Sequence, residues 1–128
     1  MSGEHFVILV VDDDTSFCAI MKEFLKGDGF EVHLAYDVPH ALSQLERLTP
    51  DIILADIMMP EIDGLCLIRN LRSKPIWADI PTIVVSARTL PEERSAAKEA
   101  GADAFVSKPF SFGDLRTMIH SFLPYGAG

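Results

Sequence analysis

Five short apolar runs recur along the chain, and after each the apolar residues return at helical spacing. "FVILVV" (Phe6–Val11) is continuous and rich in β-branched residues, as a strand covered on both faces must be. "FEVHLAY" (Phe30–Tyr36) alternates, which suits a half-buried or edge strand. "DIILA" (Asp51–Ala55), "IPTIVVSA" with its strand near Thr82–Ser86, and "AFVS" (Ala104–Ser107) complete the set. Short links and right-handed crossovers then demand an α/β fold: a five-stranded parallel sheet with helices on both faces.

In the first helix Phe17, Ile20, Met21, Phe24 and Leu25 share a face, leaving Lys22, Glu23 and Lys26 outside. "KGDGF" supplies glycines to stop it. A second helix is expected over about Pro39–Leu48, with proline in its first turn, and a third over about Gly64–Leu71 after "DIMMPEIDG". "PEERSAAKEAGAD" reads as a helix that Gly101 ends, and the last helix uses Leu115, Ile119 and Phe122. With 128 residues and 48% apolar content, residues 1–128 are expected to form one domain with its core over about 6–123.

Charge and cysteine usage narrow the function. The net charge is −8 with no basic run, so direct nucleic-acid binding is disfavoured: phosphate contacts need clustered Lys and Arg. Cys18 and Cys66 lack CxxC spacing and read as reduced thiols of a cytoplasmic protein. His5, His33, His40 and His120 show no zinc-ligand spacing. No apolar run approaches the ~18 residues of a membrane span, and "MSGEHFVILVV" lacks the basic start and cleavage site of a signal peptide, so no membrane association is expected.

In an open parallel sheet, ligands bind beyond the carboxyl ends of the strands. Those ends carry Asp12, Asp13 and Asp14 after the first strand, Asp56 after the third, Ser86 after the fourth and Lys108 after the fifth; the second offers only Tyr36 and Asp37. Two carboxylates about 4 Å apart repel by roughly 4 kcal/mol at an effective dielectric of 20. A cup of Asp12, Asp13 and Asp56 must therefore protonate one member or hold a cation. Carboxylates with room for waters suit Mg²⁺, with Mn²⁺ as its chemical substitute, and no Cys or His is present to favour a softer metal. A divalent ion, a hydroxyl and an ammonium are the parts needed for phosphoryl transfer. A carboxylate can be the nucleophile by forming an aspartyl-phosphate, and Asp56, alone at its strand end, is the best placed.

In "ILVVDDD", "DIILADIMMPEIDG", "IPTIVVSA" and "AFVSKPF", in that order and spacing, the chain resembles the receiver domains of two-component response regulators. The resemblance covers about Phe6 to Leu123. It implies a flavodoxin-like, doubly wound three-layer sandwich with strand order 2-1-3-4-5, two helices on one face and three on the other. Cys18 and Cys66 then lie on opposite faces, which forbids a disulfide between them. It also implies that Asp56 takes a phosphoryl group from a phosphohistidine of a sensor histidine kinase or phosphotransfer protein, in a regulatory phosphoacceptor rather than an enzyme. Asp13 would bind Mg²⁺ directly, Asp12 directly or through a water, and the Met58 carbonyl would complete the set. Lys108 would pair with the phosphoryl group and Asp56, next to a cis Lys108–Pro109 bond. Ser86 would donate to a phosphoryl oxygen, and Phe105 falls at the aromatic position whose rotamer follows that hydroxyl, with ordinary packing as its equal alternative. The face of helix 4, strand 5 and helix 5 would then meet a second copy or an effector domain. Ser86 replaces the commoner Thr and Phe105 the Tyr of some members, so a switch here keeps its packing half and lacks a phenolic hydrogen bond.

Several residues carry plainer expectations. Asp14 reads as a cap of the first helix, Met58 and Met59 as loop packing, and Trp77 as a residue before the fourth strand with no part in the site. The rival assignment is a haloacid dehalogenase-type phosphatase: "DDDTS" has its Asp spacing at Asp12 and Asp14, with Asp12 as nucleophile, but Ser16 stands where Thr or Val is usual. A flavin-binding module fails, because three aspartates would repel the phosphate of the flavin.

Overall fold

A computed structural model of the protein describes residues 6–58, 63–88 and 90–123. Among them, strands and helices alternate: β1 (Val7–Val11), α1 (Thr15–Gly27), β2 (Glu31–Ala35), α2 (Val38–Leu45), β3 (Ile52–Ala55), α3 (Gly64–Arg72), β4 (Thr82–Ser86), α4 (Pro91–Ala100), β5 (Ala104–Ser107) and α5 (Phe112–Ser121). The strands form one parallel sheet in the order β2-β1-β3-β4-β5, as the resemblance implied. The continuous runs of β3 and β4 are buried throughout, and alternating β2 lies at an edge with Glu31 exposed.

Side chains alternate between two cores because strand residues point to opposite faces. Ile8, Val10, Ile52, Leu54, Ile83 and Val85 pack under α1 and α5. Leu9, Val11, Ile53 and Ala55 pack under α2 and α3, while Val84 meets α4 through Ala97 and Ala100. Two helices therefore cover one face and three the other. Cys18 is buried in the first core and Cys66 is exposed on α3, on the opposite side of the sheet. Both are free thiols.

Register positions the site. Val11 pairs with both Ala35 and Ala55, so the residues after β1 and β3 leave the sheet side by side. Asp12 N–H donates to Ala35 O at 3.0 Å, and Asp56 N–H to Val11 O at 2.9 Å. Ser86 pairs with Ser107, which brings Lys108 N–H within 2.8 Å of Ser86 O.

Several boundaries differ from expectation. α2 ends at Leu45, not Leu48, because Arg47 N–H turns to the i−3 carbonyl of Gln44 at 2.9 Å and tightens the last turn ahead of Pro50. α5 ends at Ser121, with Phe122 as its C-cap. Asp51 lies just outside β3 and extends the ladder by other means: its N–H donates to Val7 O and its carboxylate accepts the Val7 N–H, both at 2.7 Å. Trp77 is buried with Ile80 and Leu71 in the second core, a packing role. Among the described residues no helix is long and apolar enough to cross a membrane.

Candidate functional site

The three consecutive aspartates take three environments. Asp12 is buried at the end of β1, and its Oδ1 accepts the Asp14 N–H at 2.9 Å. Asp13 is exposed. Asp14 is the N-cap of α1 and accepts the Phe17 N–H at 3.0 Å, satisfying one of the helix's orphan donors as expected.

Asp56 is buried beyond β3, where its Oδ1 accepts the Met58 N–H at 2.8 Å. The approach of α3 depends on Gly64: a Cβ there would lie 2.3 Å from the Asp56 carbonyl oxygen. Lys108 follows β5, in a cis peptide bond to Pro109. Its Nζ donates to Asp12 Oδ2 at 2.9 Å and Asp56 Oδ2 at 3.3 Å, and lies 4.0 Å from the centroid of the Phe17 ring. Ser86 is fully buried, and its Oγ accepts the Arg88 N–H at 3.1 Å. That contact leaves the hydroxyl proton available for donation.

The charges are unequal in their surroundings. Burial pushes the Asp12 carboxyl above its usual range, and the hydrogen bonds from Lys108 and the Asp14 N–H offset only part of this. Burial also disfavours the Lys108 ammonium, but the hydrogen bond and charge of Asp12, with those of Asp56, outweigh it and hold the lysine above its ordinary value. One ammonium thus sits between two carboxylates, with a third carboxylate at the rim.

A cleft of about 570 Å³ opens beside that rim, lined by Asp13, Met58, Asp63, Arg88 and Glu93 among others. Arg88 and Glu93 form an ion pair on its wall. Met58 is 43% exposed there, so it forms the lip of the cleft rather than the expected loop packing. Met59 lies outside the described residues. Among the described residues no three His, Cys, Asp or Glu side chains form a metal cage. Mg²⁺ needs none, since it keeps several waters and binds through one or two carboxylates. The all-oxygen donor set of Asp12, Asp13, Asp56 and the Met58 carbonyl fits such an ion, and the open cleft admits it hydrated.

The structure gathers Asp12, Asp56 and Lys108 by direct contact, places Asp13 and Met58 at the cleft, and sets Ser86 on the neighbouring strand end. Phe105 stands apart, half-buried under α4 beside Ala97, with the Arg94 Cζ 4.6 Å from its ring centroid. Two contributors escaped the sequence reading. Phe17 reads as a core residue by its spacing, and nothing in that pattern places its ring against Lys108. Gly64 reads as a helix start; the Asp63–Gly64 dipeptide marks a turn but says nothing of the close approach to Asp56. The phosphatase alternative fares poorly in this geometry: Asp14, its acid/base, caps α1, and Asp12, its nucleophile, is buried against Lys108.

Residues 8–120 match the family model described as the response regulator receiver domain. The KDP operon transcriptional regulatory protein KdpE of Escherichia coli is 36% identical over 112 residues, which cover 88% of this chain and 48% of KdpE. Response regulator MprA of Mycobacterium avium is 39% identical over 116 residues, covering 91% of this chain and 50% of MprA. The chain thus spans about half the length of these curated relatives. Among solved structures, Vibrio cholerae chemotaxis protein CheY4 superposes with a TM-score of 0.89 at 27% identity, covering 94% of this chain and 100% of that one. A CheY-like receiver domain protein from Methanospirillum hungatei gives 0.86 at 29% identity, covering 92% and 93%. With its strand order, its acidic cleft and these likenesses in agreement, the chain belongs to the response regulator receiver domain family of two-component signal transduction.

Proposed function

We propose that Asp56 is the phosphoacceptor, taking a phosphoryl group from a phosphohistidine of a sensor histidine kinase or phosphotransfer protein. The observation that carries this reading is the Lys108 ammonium joined to both Asp12 and Asp56, beside a cleft that reaches Asp13. In the transfer the donor's N–P bond breaks as an O–P bond forms to the Asp56 carboxylate. The departing nitrogen keeps the electron pair, and a proton on the imidazole leaves it neutral.

Asp13, Asp12, Asp56 and the Met58 carbonyl would hold Mg²⁺, whose chemistry there would be to neutralise phosphoryl charge. Lys108 pairs with a phosphoryl oxygen, exchanging part of its contact with Asp12 and Asp56 for the new anion. Ser86 donates its free hydroxyl proton to another. Because Lys108 is held beside the acceptor carboxylate, the chain assists its own phosphorylation and dephosphorylation while remaining a regulatory acceptor. The added charge draws Ser86 and Lys108 inward, and β5 carries that change to Phe105 and α4. The α4–β5–α5 face then engages a second copy or an effector domain in the cytoplasm. One relative, KdpE, is named a transcriptional regulatory protein; an output of that kind here would belong to a partner or a further domain.

The test is phosphorylation by acetyl phosphate, followed by intact mass, for the wild type, Asp56→Asn and Asp13→Ala. The reading requires a single phosphoryl addition that needs Mg²⁺, vanishes in Asp56→Asn and falls steeply in Asp13→Ala. Normal labelling of Asp56→Asn contradicts it.

A further inference from the structure

Phe17 begins a row of four rings along the seam between α1 and the β5–α5 connection. Phe110 meets it edge-on, with centroids 6.2 Å apart and planes at 89°. Phe110 in turn meets Phe112 at 5.8 Å and 87°, and Phe112 stacks on Phe24 at 4.4 Å and 28°. The row fixes the plane of the Phe17 ring, and the Lys108 ammonium caps its end at 4.0 Å.

A lysine head on its flexible four-carbon stem is free to swing unless something restrains it. Two of the Lys108 contacts go to Asp12 and Asp56. Beside the Phe17 ring a groove of about 450 Å³, also lined by Ile20, Lys108, Pro109, Phe110 and Phe112, opens to solvent. Water in that groove would compete for the ammonium. The electron-rich ring face occupies that side instead and attracts the cation without offering it an acceptor that could draw it away. An aliphatic side chain of similar volume would fill the space and leave the attraction out.

We propose that Phe17 is a positioning residue for phosphoryl transfer: its ring face holds the Lys108 ammonium on the Asp12–Asp56 pair, where it meets the incoming phosphoryl oxygens. This rests on Asp56 being the phosphoacceptor and Lys108 its cationic partner. Phe17 itself touches no reacting atom and acts through Lys108.

The first test is the proton NMR spectrum of the wild-type chain, with Lys108 assigned by its loss in Lys108→Met. Ring current from Phe17 should shift the Lys108 ε-methylene protons upfield. The shift should vanish in Phe17→Leu and persist in Phe17→Tyr. The second test is the rate constant for Mg²⁺-dependent phosphorylation by acetyl phosphate. Phe17→Leu should lower it about tenfold and Phe17→Tyr by no more than about twofold, because the tyrosine keeps the π face. Unshifted Lys108 protons in the wild type overturn the proposal whether or not any variant folds. So does a folded Phe17→Leu protein that is phosphorylated at the wild-type rate. Labelling that survives Asp56→Asn overturns the phosphoacceptor reading instead, and leaves the ring-current shift standing.

Discussion

The guanidinium of Arg94 lies over the ring of Phe105, Cζ to centroid 4.6 Å, and its Nη2 donates to the Ser107 hydroxyl at 2.8 Å. One exposed side chain of α4 thereby grips two residues of β5 that bracket Val106 and end beside Lys108. If Phe105 is the switch aromatic, the Arg94 contact holds its ring where it lies, half-buried against α4. Arg94→Ala should cost only about 0.5–1 kcal/mol of stability, the range of an exposed cation–π contact. It should also tighten binding of beryllofluoride, a phosphoryl mimic, by about 2–5-fold, since the state that competes with it is weakened. Unchanged affinity in a folded variant would separate Phe105 from the switch.

Arg72 does a different task at the far end of the sheet. Its Nε donates to Gly101 O at 3.0 Å, its Nη1 to Ile80 O at 3.0 Å and its Nη2 to Asp103 Oδ2 at 2.9 Å. The same Asp103 oxygen accepts the Thr82 N–H at 2.8 Å. One planar fork thus joins the end of α3, the approach to β4, the C-cap of α4 and the turn into β5. Arg72→Ala should lower the unfolding free energy by about 2–3 kcal/mol, because two carbonyls and a carboxylate lose a charged donor. Arg72→Lys should recover less than half of it, since an ammonium cannot reproduce the fork. Urea unfolding measures both, and phosphorylation of the folded fraction should be unaffected.

At Gly64 two physical effects have opposite signs. Helix propensity alone favours alanine over glycine by about 1 kcal/mol. The close approach opposes it: the new Cβ would sit 2.3 Å from Asp56 O and 2.9 Å from Ile57 Cα, both backbone atoms. The clash should win, so Gly64→Ala should destabilise the fold by about 2 kcal/mol or more and slow phosphorylation at Asp56. A stabilised variant would show that α3 can stand off without cost.

The layout of the fold was legible because buried parallel strands leave long β-branched runs, and because each helix carries its apolar stripe. Asp14 as cap followed from the same local chemistry, as did Gly101, which adopts φ 115 at the end of α4. What escaped depends on distance in three dimensions. Phe17 and Lys108 are far apart in the chain, and the spacing that marks Phe17 as core is satisfied equally well without the lysine. Arg72 reads as a solvated charge until four segments are seen to converge on it. Met58 looked like packing because it is apolar, but the turn closed by Asp56 Oδ1 and the Met58 N–H leaves its side chain at the cleft. That Asp12, Asp56 and Lys108 would converge was nonetheless readable, since strand carboxyl ends meet at one edge whatever the side chains do.

Cys18 makes stability depend on alkaline pH. Burial pushes its thiol up to about 12 from an ordinary 9.0, with the charges of Asp12 and Asp14 adding to the effect. The unfolded chain loses that proton first, so the contribution is complete below pH 9.0 and is lost as pH rises towards about 12. Lys108, raised against the pull of burial by Asp12 and Asp56, acts in the same direction at higher pH. Urea midpoints should fall between about pH 8 and about pH 11, and fall less in Cys18→Ser. Under native conditions a thiol reagent should modify Cys66 quickly and Cys18 only on unfolding.

The function of the chain turns on which carboxylate becomes phosphorylated. The most direct measurement is site mapping: label the chain with acetyl phosphate and Mg²⁺, trap the acyl phosphate by borohydride reduction, and locate the resulting homoserine by tandem mass spectrometry. Homoserine is expected at position 56, in place of Asp56, and at no other aspartate. Reduction at Asp12 or Asp13, with Asp56 left intact, would contradict Asp56 as the phosphoacceptor.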